Sequence, residues 1–148
     1  MKKITIGFKK ISDNATLPTY ACPGDAGMDV KTTITEPVTL KPLERFMFPT
    51  GLCSEIPSGY EIQVRPRSGL AAKHGITVLN TPGTIDSGYK NEIKVILVNL
   101  SNEEFTINPG ERIAQFVVSE AEQADVVEIT ELNLTNDRGG GFGHTGVN

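Results

Sequence analysis

The 148-residue chain reads as an all-β protein made of many short strands with a single short helix. Three observations lead there. Alternating or β-branched apolar runs recur along the whole length, and turn sequences such as Pro-Ser-Gly at 57–59 and Asn-Pro-Gly at 108–110 fence them. No long stretch keeps a helical period, which points to a sandwich, barrel or jelly roll rather than to alternating strands and helices.

Taken in order, strands are expected over residues 4–8, 45–56, 60–66, 92–100, 104–107, 112–120 and 125–129, where apolar and β-branched residues concentrate. GDAGMDV at 24–30 also enters a strand from a glycine turn. The one helix falls on SGLAAKHG at 68–75: Ser68 is the expected cap, Lys73 and His74 suit the negative end, and Gly75 stops it. LNTPGTIDSGYKNEIKVILVN at 79–99 reads as a β-hairpin. From about Asn133 the apolar pattern fades, so residues 1–132 are expected to form one β domain and 133–148 a C-terminal arm.

A mass of 16.0 kDa fits one domain able to bury a core unaided by metals or disulfides. The net charge of −4 and pI near 5.2 argue against a protein held to nucleic acid by its overall field, so an anionic ligand has to be met locally. The two cysteines, Cys22 and Cys53, lie far apart without metal-ligand spacing, which suits reduced thiols in a cytosol-like compartment. The start, MKKITIGFKK, is too charged for a secretory signal, and no run of about 18 apolar residues spans a membrane. The expectation is a cytoplasmic protein, in the host cytoplasm if viral or phage encoded, with no nucleic-acid or membrane partner.

Four kinds of segment carry candidate chemistry. In PRSGLAAKHG, Arg67 stands just ahead of a helix start, where free amides and a guanidinium together suit an anion; an exposed ion pair explains Arg67 equally well. Asp86 precedes Tyr89 by three residues, a base for water beside a platform for a sugar ring, or else a turn aspartate and a core tyrosine. Asp29 and Gln115 are polar residues among apolar neighbours, and local turn bonding accounts for them as well. RGGGFGHTG at 138–146 is either a frayed end or a flap that orders over a ligand.

Order decides among these alternatives. AGMDV (26–30), PRSGLAAKHG (66–75), NTPGTIDSGY (80–89), PGERIAQFVV (109–118) and RGGGFGHTG (138–146) resemble, in sequence, the five motifs of the trimeric dUTP diphosphatases. The resemblance spans nearly the whole chain. It implies a distorted jelly-roll β-barrel, a homotrimer with active sites shared between subunits, and hydrolysis of dUTP to dUMP and pyrophosphate. That reaction keeps uracil out of DNA and supplies dUMP for dTMP synthesis. Asp86 matches the family's general base for in-line water attack on the α-phosphorus. Arg67, Ser68, Gly69 and Gln115 match phosphate contacts. Asn80, Thr84, Ile85 and Lys94 match groups that read uracil, and Tyr89 the residue packed under deoxyribose. In the tail, Arg138 matches a γ-phosphate ligand and Phe142 a lid that stacks on the base, with Gly143, His144 and Thr145 near the phosphates. The resemblance further implies Mg2+ carried by the triphosphate, with no direct protein ligand and Asp29 in its outer shell through water.

The chain departs from the family pattern at three points. Three residues separate Arg138 from Phe142 where relatives have four, Gly88 stands where many have Asp, and Asn91 where many have Gly. Two rival readings are a dCTP deaminase on the same fold and a noncatalytic nucleotide-binding module. Gly69 after Ser68 and the phenylalanine-bearing tail disfavour the first, and an intact Asp86 and Arg67 the second.

Overall fold

The structure, a computed structural model, describes residues 1–147. It is mostly β with one short helix, and every ladder is antiparallel. The strands are β1 (Gly7–Lys10), β2 (Thr19–Tyr20), β3 (Gly27–Lys31), β4 (Val38–Leu40), β5 (Arg45–Pro49), β6 (Leu52–Glu55) and β7 (Tyr60–Arg65). Helix α1 (Ser68–His74) follows, then β8 (Ile76–Val78), β9 (Gly83–Ile85), β10 (Lys94–Asn99), β11 (Phe105–Ile107) and β12 (Arg112–Glu120). They form a five-stranded sheet in the order β2-β3-β12-β7-β9, a three-stranded sheet β5-β10-β8, and the pairs β1-β6 and β11-β4.

Period-two patterning explains the inward faces. In β7, Ile62 and Val64 are buried between more accessible neighbours, and Val95 and Leu97 do the same in β10. In β12 the register against β3 shifts between Arg112 and Ala114, so Ile113 is the extra residue of a bulge. That bulge lets two consecutive residues, Ile113 and Ala114, both be fully buried. Phe116 then stacks on Phe8 with ring centroids 6.3 Å apart, joining β1 to the large sheet. At the end of β10, buried Asn99 is satisfied: Nδ2 donates to the carbonyls of Leu40 (2.9 Å) and Glu103 (2.7 Å), and Oδ1 accepts from the Ser101 amide and hydroxyl.

Four expectations are corrected. The run 45–56 is two strands, parted at Gly51, whose φ of 66° and crowding by Ser12 and Ala15 admit only glycine. Ser68 does not cap α1: the N-cap is Arg67, extended at φ −89° and ψ 132°, with no side-chain cap bond. Gly75 does end the helix in the left-handed region. Residues 79–99 are not a simple hairpin, because β9 pairs with β7 while β10 pairs with β5 and β8. Residues 125–129 form no strand: among the described residues no strand pairs with them, and Val126, Val127 and Ile129 are exposed. Among the described residues, no helix is long and apolar enough to cross a membrane.

Candidate functional site

Residues 79–93 leave the β8–β10 ladder and return to it. Their excursion, closed on one side by β9 against β7, encloses a pocket of about 230 Å³. Its apolar wall is Val64, Val78, Ile93 and Val95, and Asn80, Thr84, Ile85, Tyr89 and Lys94 all line it. Ile96 and Gly83 line it too, and a side chain at Gly83 would press on Val64 Cβ at 3.1 Å and approach Asn80 Nδ2 at 3.4 Å. A slot with an apolar wall and a few main-chain and amide groups suits a flat, polar-edged ring.

Asp86 and Tyr89 share one turn at the mouth of this pocket, the Tyr89 amide donating to the Asp86 carbonyl at 3.1 Å. The Tyr89 ring is half in solvent, and its hydroxyl donates to the Glu92 carbonyl at 2.7 Å. Asp86 is exposed, and among the described residues its carboxylate enters no ion pair. It flanks the pocket rather than lining it.

A second group gathers where β3, β12 and β7 run side by side. Gln115 lies opposite Asp29 on one flank and Arg65 on the other, so these side chains share a sheet face. Gln115 Nε2 donates to the Pro66 carbonyl at 3.0 Å, pinning the segment that leads into Arg67, Ser68 and Gly69. It can do so because Gly27 offers no side chain; a Cβ there would collide with the Gln115 amide. Asp29 is held between two arginines, Oδ1 at 3.5 Å from Arg67 Nε and Oδ2 at 3.1 Å from Arg112 Nη1. Arg67 Nη1 also donates to the Arg112 carbonyl at 3.3 Å. Two guanidinium groups around one carboxylate leave a net positive patch beside the open helix start, a setting that favours a polyanion.

Sequence reading missed Arg112 and Glu92 as members of these groups. Arg112 sits within PGERIAQFVV, next to Glu111 at the entry to an apolar run, yet its partner Asp29 is 83 positions away. Both Asp29 carboxylate oxygens are already engaged by arginines, so this side chain is not free to cage a bare divalent cation. Among the described residues no three His, Cys, Asp or Glu side chains gather as metal ligands.

The tail joins neither group. Residues 121–140 are all exposed, and Phe142 is fully in solvent. Its glycines serve local geometry: Gly140 is left-handed at φ 66°, and the His144 ring rests where its side chain would be. Arg138, Gly143, His144 and Thr145 lie in this exposed segment, and none of them lines the pocket. Within one chain, the pocket, the arginine cluster and the tail are therefore three separate pieces.

Comparison with known proteins gives these pieces a common origin. The profile of the dUTPase family matches residues 13–146. A deoxyuridine 5'-triphosphate nucleotidohydrolase of Fusobacterium nucleatum is 58% identical over 146 residues, covering 99% of each chain. Another, from Treponema denticola, is 54% identical over 140 residues, covering 95% of this chain and 97% of the relative. Among solved structures, the dUTPase of Staphylococcus bacteriophage 80alpha with dUpNHpp superimposes with a TM-score of 0.87 at 26% identity, covering 98% of this chain and all of that one.

Proposed function

This chain belongs to the dUTPase family and is a hydrolase acting on dUTP, and we propose that it does so by in-line attack of water on the α-phosphorus, with Asp86 as the general base. Asp86 accepts a proton from the water as the new P–O bond forms. The bond from the α-phosphorus to the bridging oxygen breaks, and dUMP and pyrophosphate result. The observation that carries this reading is the turn joining Asp86 to Tyr89: it presents an exposed carboxylate, free of ion pairs among the described residues, at the mouth of a ring-sized pocket.

The pocket's polar groups read the base. The Asn80 amide and the main chain at Thr84, Ile85 and Lys94 complement uracil's edge, whereas cytosine reverses the donor and acceptor pattern. Each group left unpaired costs on the order of 1 to 3 kcal/mol. Tyr89 packs under the deoxyribose and excludes a 2'-hydroxyl. Arg67, Ser68, the Gly69 amide and Gln115 grip the phosphates and meet the charge that shifts onto pyrophosphate. When bound, Mg2+ supplies charge neutralisation along the triphosphate, and Asp29 meets its water shell.

The site is completed between subunits of a homotrimer. Support comes from the pocket, the arginine cluster and the tail being made of different residues within one chain, together with the exposed apolar residues from Val126 to Leu134. The tail then acts as a lid, Phe142 over uracil and Arg138, Gly143, His144 and Thr145 toward the phosphates. Its glycines allow close approach of backbone to phosphate. Residues 1–132 are the β domain and 133–148 the arm in this reading. The enzyme works in the cytosol, without nucleic-acid or membrane partners, where it keeps uracil out of DNA and supplies dUMP for dTMP synthesis.

Incubating the purified protein and Mg2+ with dUTP, dCTP, UTP and dTTP, and assaying pyrophosphate and ammonia, tests the reading. The expected product is pyrophosphate from dUTP alone, in particles of three chains by native mass measurement. Asp86→Asn should lower kcat by about a thousandfold, at the level of a lost general base, while still binding dUTP. Ammonia release from dCTP, or an active monomer, would overturn it.

A further inference from the structure

Glu92 ties the nucleoside pocket to the rest of the body at two points. Its carboxylate Oε2 accepts the amide of Gly51 at 3.0 Å, across 41 positions of sequence. Its carbonyl accepts the Tyr89 hydroxyl at 2.7 Å. Gly51 is no ordinary anchor, for its left-handed corner between β5 and β6 is crowded by Ser12, Ala15 and Thr33 and so has a fixed position. Beside it, Thr50 Oγ1 donates to the Ile93 carbonyl at 2.5 Å and the Ile93 amide to the Leu52 carbonyl at 2.8 Å.

The Glu92 bond to Gly51 is charge-assisted and partly buried, which makes it stronger than a neutral or fully solvated one. The neighbouring pair Lys90–Glu55, at 3.0 Å, is largely exposed on both sides and holds little. We infer that Glu92 is a positioning residue for sugar selectivity: through its carboxylate it fixes the height of its own carbonyl, and through that carbonyl the tilt of the Tyr89 ring. This rests on the reading of Tyr89 as the deoxyribose platform. A ring free to tilt by an ångström makes room for a 2'-hydroxyl, so losing the anchor is expected to relax discrimination before it stops hydrolysis.

The test is the ratio of kcat/KM for dUTP to that for UTP, measured with thermal midpoints on the full chain. Glu92→Ala should lower the ratio by about fivefold or more, mainly by raising UTP turnover, a change expected of a relaxed pocket. Glu92→Gln, whose amide oxygen still accepts from Gly51, should restore it to within about twofold. Tyr89→Phe keeps the ring and removes only the bond to the Glu92 carbonyl; it should reproduce the Glu92→Ala ratio, and the double variant should fall no further. A folded Glu92→Ala protein with the wild-type ratio, or one that loses both substrates equally, overturns the inference. If Glu92→Ala does not fold, Tyr89→Phe decides alone, and a wild-type ratio there overturns it. Failure of the wild-type protein to hydrolyse dUTP strikes the proposed reaction instead.

Discussion

Phe116 and Phe142 are the same side chain in opposite circumstances. Phe116, on β12, has no accessible surface and stacks on Phe8; Phe142, in the tail, is fully solvated and stacks on no ring among the described residues. The contrast extends to their regions. Between Gly7 and Glu120 lies every buried apolar side chain of the described residues, although Leu43, Met47 and Leu100 stay exposed there, whereas from residue 121 onward Val126, Val127, Ile129, Leu132 and Leu134 all stand exposed. The first region carries its reason for folding within itself. The second makes physical sense against something else: a ligand, or a further copy of the chain, as proposed above.

The most direct way to break this comparison is to make one change in both regions. Phe116→Ala should destabilise the protein by about 3 to 5 kcal/mol, because a buried ring leaves a cavity that its neighbours only partly fill. Phe142→Ala should leave the denaturant midpoint unchanged and raise KM for dUTP. Chemical denaturation and steady-state kinetics on the two variants check both. A stability loss at Phe142 would mean that the tail is already packed without nucleotide.

Truncation after Asp137 sharpens the contrast further. The shortened chain should keep its β-sheet circular dichroism and its assembly mass, since the ladders end at Glu120. Turnover of dUTP should fall by about a hundredfold, the scale on which losing a closing lid exposes a site to water and removes its contacts. Full activity would remove the lid from the mechanism. A change in assembly mass would shift the tail's role from catalysis to subunit contact.

The same division marks what the sequence could and could not convey. Where residues interact with near neighbours, reading was direct: the helix over 68–74 and its stop at Gly75 follow from local rules, as do the long strands β7, β10 and β12. The short strands β2, β4 and β8, two or three residues each, went unread, although the equally short β11 lay within the expected run 104–107. Pairing is harder still, because β9 has hairpin chemistry on its far side but finds its hydrogen bonds on β7, with Gly83 beside Val64 and Ile85 beside Ile62. Ser68 looked like a cap because its type is right, yet the chain turns one residue earlier, at Arg67. Residues 125–129 have strand composition and no strand, since β-propensity reports fit to a neighbouring surface, and among the described residues no strand lies against them.

For the site, Asn80, Thr84, Ile85, Tyr89 and Lys94, which the ordered motifs single out, line one cavity. What escaped were partners joined only by the fold, Arg112 to Asp29 and Glu92 to Gly51. Their side chains act across 83 and 41 positions, and no local spacing announces such pairs.

The smallest effect is expected at the seam where the two regions meet. Lys2 bonds Glu120, the last residue of β12, at 2.9 Å, with its ammonium 5.2 Å from the Tyr60 ring centroid. Tyr60 first and then Glu120 raise the Lys2 pKa above its ordinary range, and Lys2 in turn lowers that of Glu120. Because the folded Glu120 carboxyl is the more acidic, the pair's contribution is present above the pH at which an unfolded glutamate ionises. It is lost as pH falls through the lowered folded value. Both side chains are two-thirds exposed, so water and salt screen them heavily. Lys2→Met should therefore shift the thermal midpoint at pH 7 by no more than about a degree or two, with the difference from wild type vanishing in acid and in high salt. A large, salt-independent loss would show that the amino-terminal residues clamp the end of β12 by packing rather than by charge, and that the body extends past its last ladder toward the tail.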